Sequence, residues 1–224
     1  METLAIRFSA ASQPEICLKF DAVIPREDIA ELVSFFEQSV DGGARYRGGE
    51  LIELRSMILR IVPAEGGLSI EEPDLCGVPI SWAPGVTQSL RLLRLQKDVA
   101  ESVRLGAELN FPTIRQSLIF GIDLGAPDAL VLERCEPADH DSGWFVGRLD
   151  SELDYNQVPN LRRISVYEAI LGWPRIAGFL ALPPGSRVEL SARARKISRN
   201  GKALAVQEGG FLPHWNGRVP GPHR

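Results

Sequence analysis

The apolar positions change period several times along the chain, and each change marks an element. Ile16, Leu18 and Phe20 alternate with Cys17, Lys19 and Asp21, which predicts a strand over 15–24. Pro25 stands where a helix begins, since its missing N–H costs nothing in a first turn. Ile29, Leu32, Val33 and Phe36 then recur at helical spacing until Gly42-Gly43 stops the run. Leu51–Val62 reads as one apolar strand ended by Pro63, and Glu65–Leu75, with Gly66-Gly67 and Pro73, as strand and loop. A helix over 86–105 lies between Pro84-Gly85 and Gly106, with Leu90, Leu93, Val99 and Val103 on one face. Arg94/Asp98 and Lys97/Glu101 are spaced for intrahelical pairs.

In the second half Ser117–Leu124 reads as a strand and Gly125–Asp128 as a turn, where a soft domain boundary is expected. Ala129–Cys135 enters an acidic turn and Trp144–Arg148 leaves it as a strand. Ser165–Leu171 is expected to be a helix, with Ser165 as N-cap and Glu168 at the capping-box position. Arg175–Ala181 is short and helical or irregular. Arg187–Ile197 and Ala203–Val206 are expected to pair across Asn200-Gly201, because Asn-Gly is the strongest two-residue hairpin signal. Phe211–Arg224 has no period and reads as a mobile tail. The sum is an α+β fold, antiparallel sheets with a few packing helices, in two small domains. These are placed at 1–124 and 129–208, followed by a flexible tail at 209–224.

Composition narrows the class. The chain has 224 residues, 44% hydrophobic and 24% charged, which is ordinary for a globular protein. No apolar run approaches the about 20 residues needed to cross a bilayer. Met1–Arg7 lacks the basic-then-apolar pattern of a secretory leader, so a cytoplasmic location is expected. Cys17, Cys76 and Cys135 are odd in number and widely spaced, which predicts buried, reduced thiols. The net charge of −4 conceals an asymmetry. Residues 123–156 carry nine acids (Asp123, Asp128, Glu133, Glu136, Asp139, Asp141, Asp150, Glu152 and Asp154) against Arg134 and Arg148. Residues 157–224 carry eleven Lys or Arg against three Glu. Such separation means solvated or mutually neutralising faces, or a negative patch that steers a basic partner.

Candidate chemistry concentrates in Asp139-His140-Asp141-Ser142-Gly143-Trp144, two carboxylates, an imidazole and a hydroxyl before an aromatic anchor. A hydrolase built on Ser142, His140 and Asp139 is one reading. Sequence neighbours seldom converge into a triad, and no Gly-x-Ser-x-Gly elbow is present. With three histidines and no paired His or Cys ligands, no metal is expected. Gly48-Gly49 and Gly66-Gly67 lack the context of a phosphate-binding loop, so no cofactor is expected either. Arg193, Arg195, Lys196, Arg199 and Lys202 cluster near the Asn-Gly turn without interleaved aromatics, in an acidic chain, which speaks against direct nucleic-acid binding.

Several of these motifs occur in one order: Asp141-Ser142-Gly143-Trp144, the acidic Asp150–Asp154, the helix-like Ser165–Ile170, Trp173-Pro174-Arg175-Ile176, then Leu180–Ser186. This order resembles the Asp-Ser-Gly-Trp family of immunity-protein domains from bacterial polymorphic-toxin systems, over roughly residues 129–208. The resemblance implies a non-enzymatic immunity protein of a bacterial secretion system. Such a protein binds a cognate toxin, a nuclease or another intracellular effector, and masks its active site or blocks its activation. Together with the charge asymmetry it places the contact on Asp139, Asp141, Trp144, Asp150, Glu152 and Asp154, the acids pairing with toxin Lys or Arg and the Trp packing the turn. The alternatives are a small hydrolase centred on Asp139–Ser142 and a nucleic-acid-binding adaptor.

Overall fold

The structure is a computed structural model, and it describes residues 1–9, 13–125, 129–191 and 195–215. The described residues fall into two compact units, one over Met1–Arg94 and one from Leu95 onward.

The first unit holds a mixed sheet. Its strands are β1 (Glu2–Ile6), β2 (Ile16–Phe20), β3 (Leu51–Leu54), β4 (Met57–Ala64), β5 (Gly67–Asp74) and β6 (Ser81–Pro84). The order is β1-β2-β5-β4-β3, with β6 pairing the far half of β5. Only β2 and β5 run parallel; every other pairing is antiparallel. Ile16, Leu18 and Phe20 of β2 are buried, as their alternation predicts. Helix α1 (Arg26–Asp41) buries Ile29, Leu32, Phe36 and Val40, with Pro25 in the N-cap position. The apolar run Leu51–Val62 is not one strand. It folds back across Arg55-Ser56 as the β3–β4 hairpin, Arg55 taking a φ of 54° and Ser56 being buried. Pro63 continues β4 opposite Leu68, at a position late in the strand.

The division between units falls within helix α2 (Thr87–Glu101). At its first turn Glu72 is 3% exposed and accepts hydrogen bonds from the backbone N–H groups of Gln88 (3.0 Å) and Ser89 (2.6 Å). Burial pushes its carboxyl pKa up, and those bonds act against the shift. Arg91 and Arg94 of this helix reach Asp21 (3.1 Å) and Asp28 (2.9 Å).

The second unit is built on a seven-stranded sheet. Its strands are β7 (Ser117–Gly121), β8 (Leu130–Arg134), β9 (Asp141–Arg148), β10 (Leu161–Ser165), β11 (Ser186–Leu190), β12 (Arg195–Arg199) and β13 (Lys202–Ala203). The order is β10-β7-β9-β8-β11-β12-β13, and only β7 with β9 is parallel. The stretch 125–128, where a turn and a boundary were expected, connects two strands of this one sheet, and residues 126–128 lie outside the described residues. The expected long strand Arg187–Ile197 is two, β11 and β12, paired antiparallel with Ser186 opposite Arg199. The Asn200-Gly201 turn then joins β12 to β13, as its sequence predicts.

Leu118, Phe120, Leu130, Leu132, Trp144 and Val146 are buried, together with Ile170, Ile176 and Phe179. The last three belong to helix α3 (Val166–Gly172) and the 3₁₀ segment Pro174–Phe179. The capping box is complete. Ser165 Oγ accepts from the Glu168 N–H (3.1 Å), and Glu168 accepts from the Ser165 N–H (2.8 Å). Ser165→Ala should lower unfolding stability by about 1 kcal/mol, read as a fall in urea midpoint with unchanged slope. The expected tail is a docked segment as far as it is described: Leu212 (1% exposed) and Trp215 (7%) are buried, and Arg195 donates to the Leu212 carbonyl (3.4 Å). Residues 216–224 lie outside the described residues.

Candidate functional site

The Asp-Ser-Gly-Trp run belongs to β9 and ties the second unit together. The turn itself is Asp139-His140, closed by reciprocal backbone bonds between Ala138 and Asp141 (3.1 and 2.7 Å), with Asp139 at a φ of 45°. Asp141 Oδ1 accepts from the Gly143 N–H (2.8 Å). Ser142, fully buried, donates its hydroxyl to the Ser117 carbonyl on β7 (2.7 Å). Gly143 has a φ of 75°, and a Cβ there would stand 2.3 Å from the Cys135 carbonyl oxygen, so no other residue fits. β9 accommodates this by shifting its register against β7 between Ser117 and Ile119. Trp144 is 1% exposed and donates its indole N–H to the Leu180 carbonyl (2.8 Å).

Opposite Trp144 on β8 stands Arg134, a residue the sequence reading counted only as charge. It is 3% exposed, and its guanidinium lies 5.5 Å from the Trp144 ring centre. It donates to the Ser142 carbonyl (3.3 Å), the Asn110 carbonyl (2.6 Å) and side-chain Oδ1 (2.8 Å), and the Leu180 (3.3 Å) and Leu182 carbonyls. Burial pulls its pKa down to about 10, partly offset by Glu136. Arg134 thus gathers three chain segments around one cation. A sequence signal existed, since Arg134 of the strand Leu130-Val131-Leu132-Glu133-Arg134 faces the same way as Leu130 and Leu132 by alternation, and so inward.

The hydrolase reading therefore loses its nucleophile at this turn, because the Ser142 hydroxyl is spent on a backbone carbonyl while His140 is exposed. The basic cluster is also committed in part: Arg199 pairs with Glu108, and Arg195 donates to the Trp215 carbonyl and stacks on its ring. Arg193 lies outside the described residues. Cys76 and Cys135 are exposed and Cys17 half-buried, which corrects the expectation of buried thiols, and none of the three is in a disulfide. Among the described residues no group of three or more His, Cys, Asp or Glu is arranged to hold a metal ion. No helix among them is long and apolar enough to cross a membrane.

The six residues expected at a contact do not meet. Trp144 is in the core. Asp139 and Asp141 lie before or at the start of β9, Asp141 beside Arg163 (3.5 Å). Asp150, Glu152 and Asp154 follow its other end, so seven residue steps, or about 23 Å of strand, separate the two groups.

The second group sits on a built loop. Tyr155 lies across Gly121 of β7 and Gly147 of β9, where a Cβ on either would come within 2.5 or 2.6 Å of its ring. Its ring meets Phe145 edge-on at 5.1 Å. Its hydroxyl donates to Asp123 (2.7 Å) and accepts from the Arg148 N–H (3.0 Å), and Ser151 donates to the other Asp123 oxygen (2.7 Å). Asn160 closes the loop onto the Asp154 carbonyl (2.9 Å). Desolvation alone raises the Asp123 pKa, yet the Ser151 and Tyr155 hydroxyls and Arg148 together hold it below the usual 3.8. Asp150 is likewise held low by Arg148, and Asp154 by the Asn156 N–H groups. A depressed carboxylate contributes its stabilisation fully above its ordinary pKa and loses it as pH falls through the lower folded value. Amide exchange across residues 149–160 should therefore stay flat from neutral pH down to about 4 and accelerate below that, apart from the intrinsic pH trend.

One comparison with known proteins finds a likeness within the second unit. Residues 95–198 match the family model of the Imm33-like domain. The Imm33-like segment begins where the second unit begins and spans under half of the chain. It supports an immunity-protein family. The match agrees with the motif order in pointing to an immunity-protein family, under the Imm33-like description, and does not confirm the Asp-Ser-Gly-Trp family in particular. No curated protein and no solved structure matches the chain. Arg134, the Asp-Ser-Gly-Trp staple and the Tyr155 loop all lie inside the Imm33-like segment.

Proposed function

We propose that the protein is an immunity protein that neutralises a cognate bacterial toxin by binding it. The partner is a nuclease or another intracellular effector, and binding masks its active site or blocks its activation, with no chemistry in the immunity protein itself. The observation that carries this reading is the Imm33-like match over the unit that presents the acidic loops. The acidic stretch 123–156 within that unit supports it, because a nuclease holds phosphates with cations and a local acidic face is complementary to such a surface. Glu152 and Asp154 are exposed and enter no ion pair among the described residues. The test is co-expression with the product of the adjacent gene. A toxic neighbour whose toxicity is relieved, and which co-purifies with this chain, supports the reading. A harmless neighbour, or one that never co-purifies, refutes it.

A further inference from the structure

β7 and β9 run parallel, so the turns that follow them emerge on one rim of the second unit's sheet. β10 starts at that rim, the Ile122 N–H donating to the Asn160 carbonyl (3.0 Å). Three large aliphatic side chains are exposed in these connections: Ile122 (50%), Leu149 (43%) and Val158 (79%). Among the described residues they account for every large exposed hydrophobic side chain of this unit. Single exposed aliphatics need no explanation, but three at one end of one sheet mark a contact surface. Asp150, Glu152 and Asp154 share the connection that carries Leu149 and Val158. Tyr155, Asp123 and Asn160 hold that connection in place before any partner arrives, which reduces the ordering cost of association.

We infer that this rim, and not the Asp139–Asp141 turn, is the surface that docks the toxin, with Ile122, Leu149 and Val158 entering an aliphatic hollow ringed by toxin Lys or Arg. The inference rests on the immunity reading and names its contact. Aliphatic side chains supply the desolvated centre and the acids the steering rim, the usual division in a protein interface. A nucleic acid is the wrong occupant, because the acids repel phosphate.

The experiment measures binding of the full chain to the purified toxin encoded beside it, by surface plasmon resonance, which reads both rates and affinity, at two salt concentrations. Val158→Asp should weaken the complex by about tenfold or more, and Glu152→Lys should slow association and flatten its salt dependence. Asp139→Lys should leave affinity within about twofold. Val158 is so exposed that its replacement leaves the melting temperature unchanged, and circular dichroism verifies folding of each variant. Wild-type affinity in both rim variants, or an equal loss in Asp139→Lys, overturns the rim assignment while leaving the immunity reading standing. If Val158→Asp instead dissolves a dimer of this chain and spares the toxin complex, the rim belongs to a second copy and the assignment falls. A wild-type chain that does not bind the toxin overturns the immunity reading itself.

Discussion

Replacing Trp144 by alanine should lower the unfolding free energy by about 3–5 kcal/mol, the range for emptying a buried aromatic site. The ring is 1% exposed, its N–H is spent on Leu180, and Arg134 lies over its face. Truncation leaves a cavity and removes the shorter of two hydrogen bonds to the Leu180 carbonyl, the other coming from Arg134. Trp144→Phe keeps much of the volume and loses the hydrogen bond, so its cost should be nearer about 1–2 kcal/mol. Urea unfolding with unchanged slope checks both values. A cost below about 1 kcal/mol for the alanine variant, accompanied by lost toxin affinity, would return Trp144 to the surface.

Arg134→Met should cost about 3–5 kcal/mol for a different reason, since methionine fills the space but takes the guanidinium's hydrogen bonds away from the Ser142, Asn110 and Leu182 carbonyls, leaving Leu180 only the Trp144 indole. Arg134→Lys is not a conservative rescue. One ammonium cannot serve carbonyls that the planar guanidinium reaches from three nitrogens, and a loss of about 2 kcal/mol or more is expected. For a domain whose whole stability is about 5–15 kcal/mol, either change shows as reduced soluble yield as well as a lower midpoint. Nearly unchanged stability in the lysine variant would mean that the fork geometry is unimportant.

Both variants bear on how the chain can be read. The elements with strong local signals were legible: the Ile16/Leu18/Phe20 alternation, the α1 period, the Ser165/Glu168 box and the Asn200-Gly201 turn each report physics contained within a few residues. Hairpins without a Gly or Asn tip were not. Arg55-Ser56 carries no turn signature, so β3 and β4 read as one apolar run. The Pro- and Gly-rich end looked unstructured because Leu212 and Trp215 are anchored by Arg195 and Ser102, far away in sequence. The site failed for a related reason. Acids that are neighbours in sequence are driven apart by an intervening strand, and only pairing register reveals that Asp141 and Asp150 face opposite ends of it. The Asp-Ser-Gly-Trp run drew notice as chemistry because its residue types are reactive. Its hydroxyl, its carboxylate and its glycine are each consumed by the backbone geometry that lets β9 pass β7 and pack Trp144.

In the proposed function this protein protects by occupying a toxin, with no bond made or broken. A titration of purified toxin with increasing amounts of the chain, followed through residual toxin activity after long incubation, tests that directly. Stoichiometric masking gives a straight fall to zero at a fixed molar ratio that does not move with time. Complete inactivation of a large excess of toxin by a trace of the chain, growing with incubation, would contradict it.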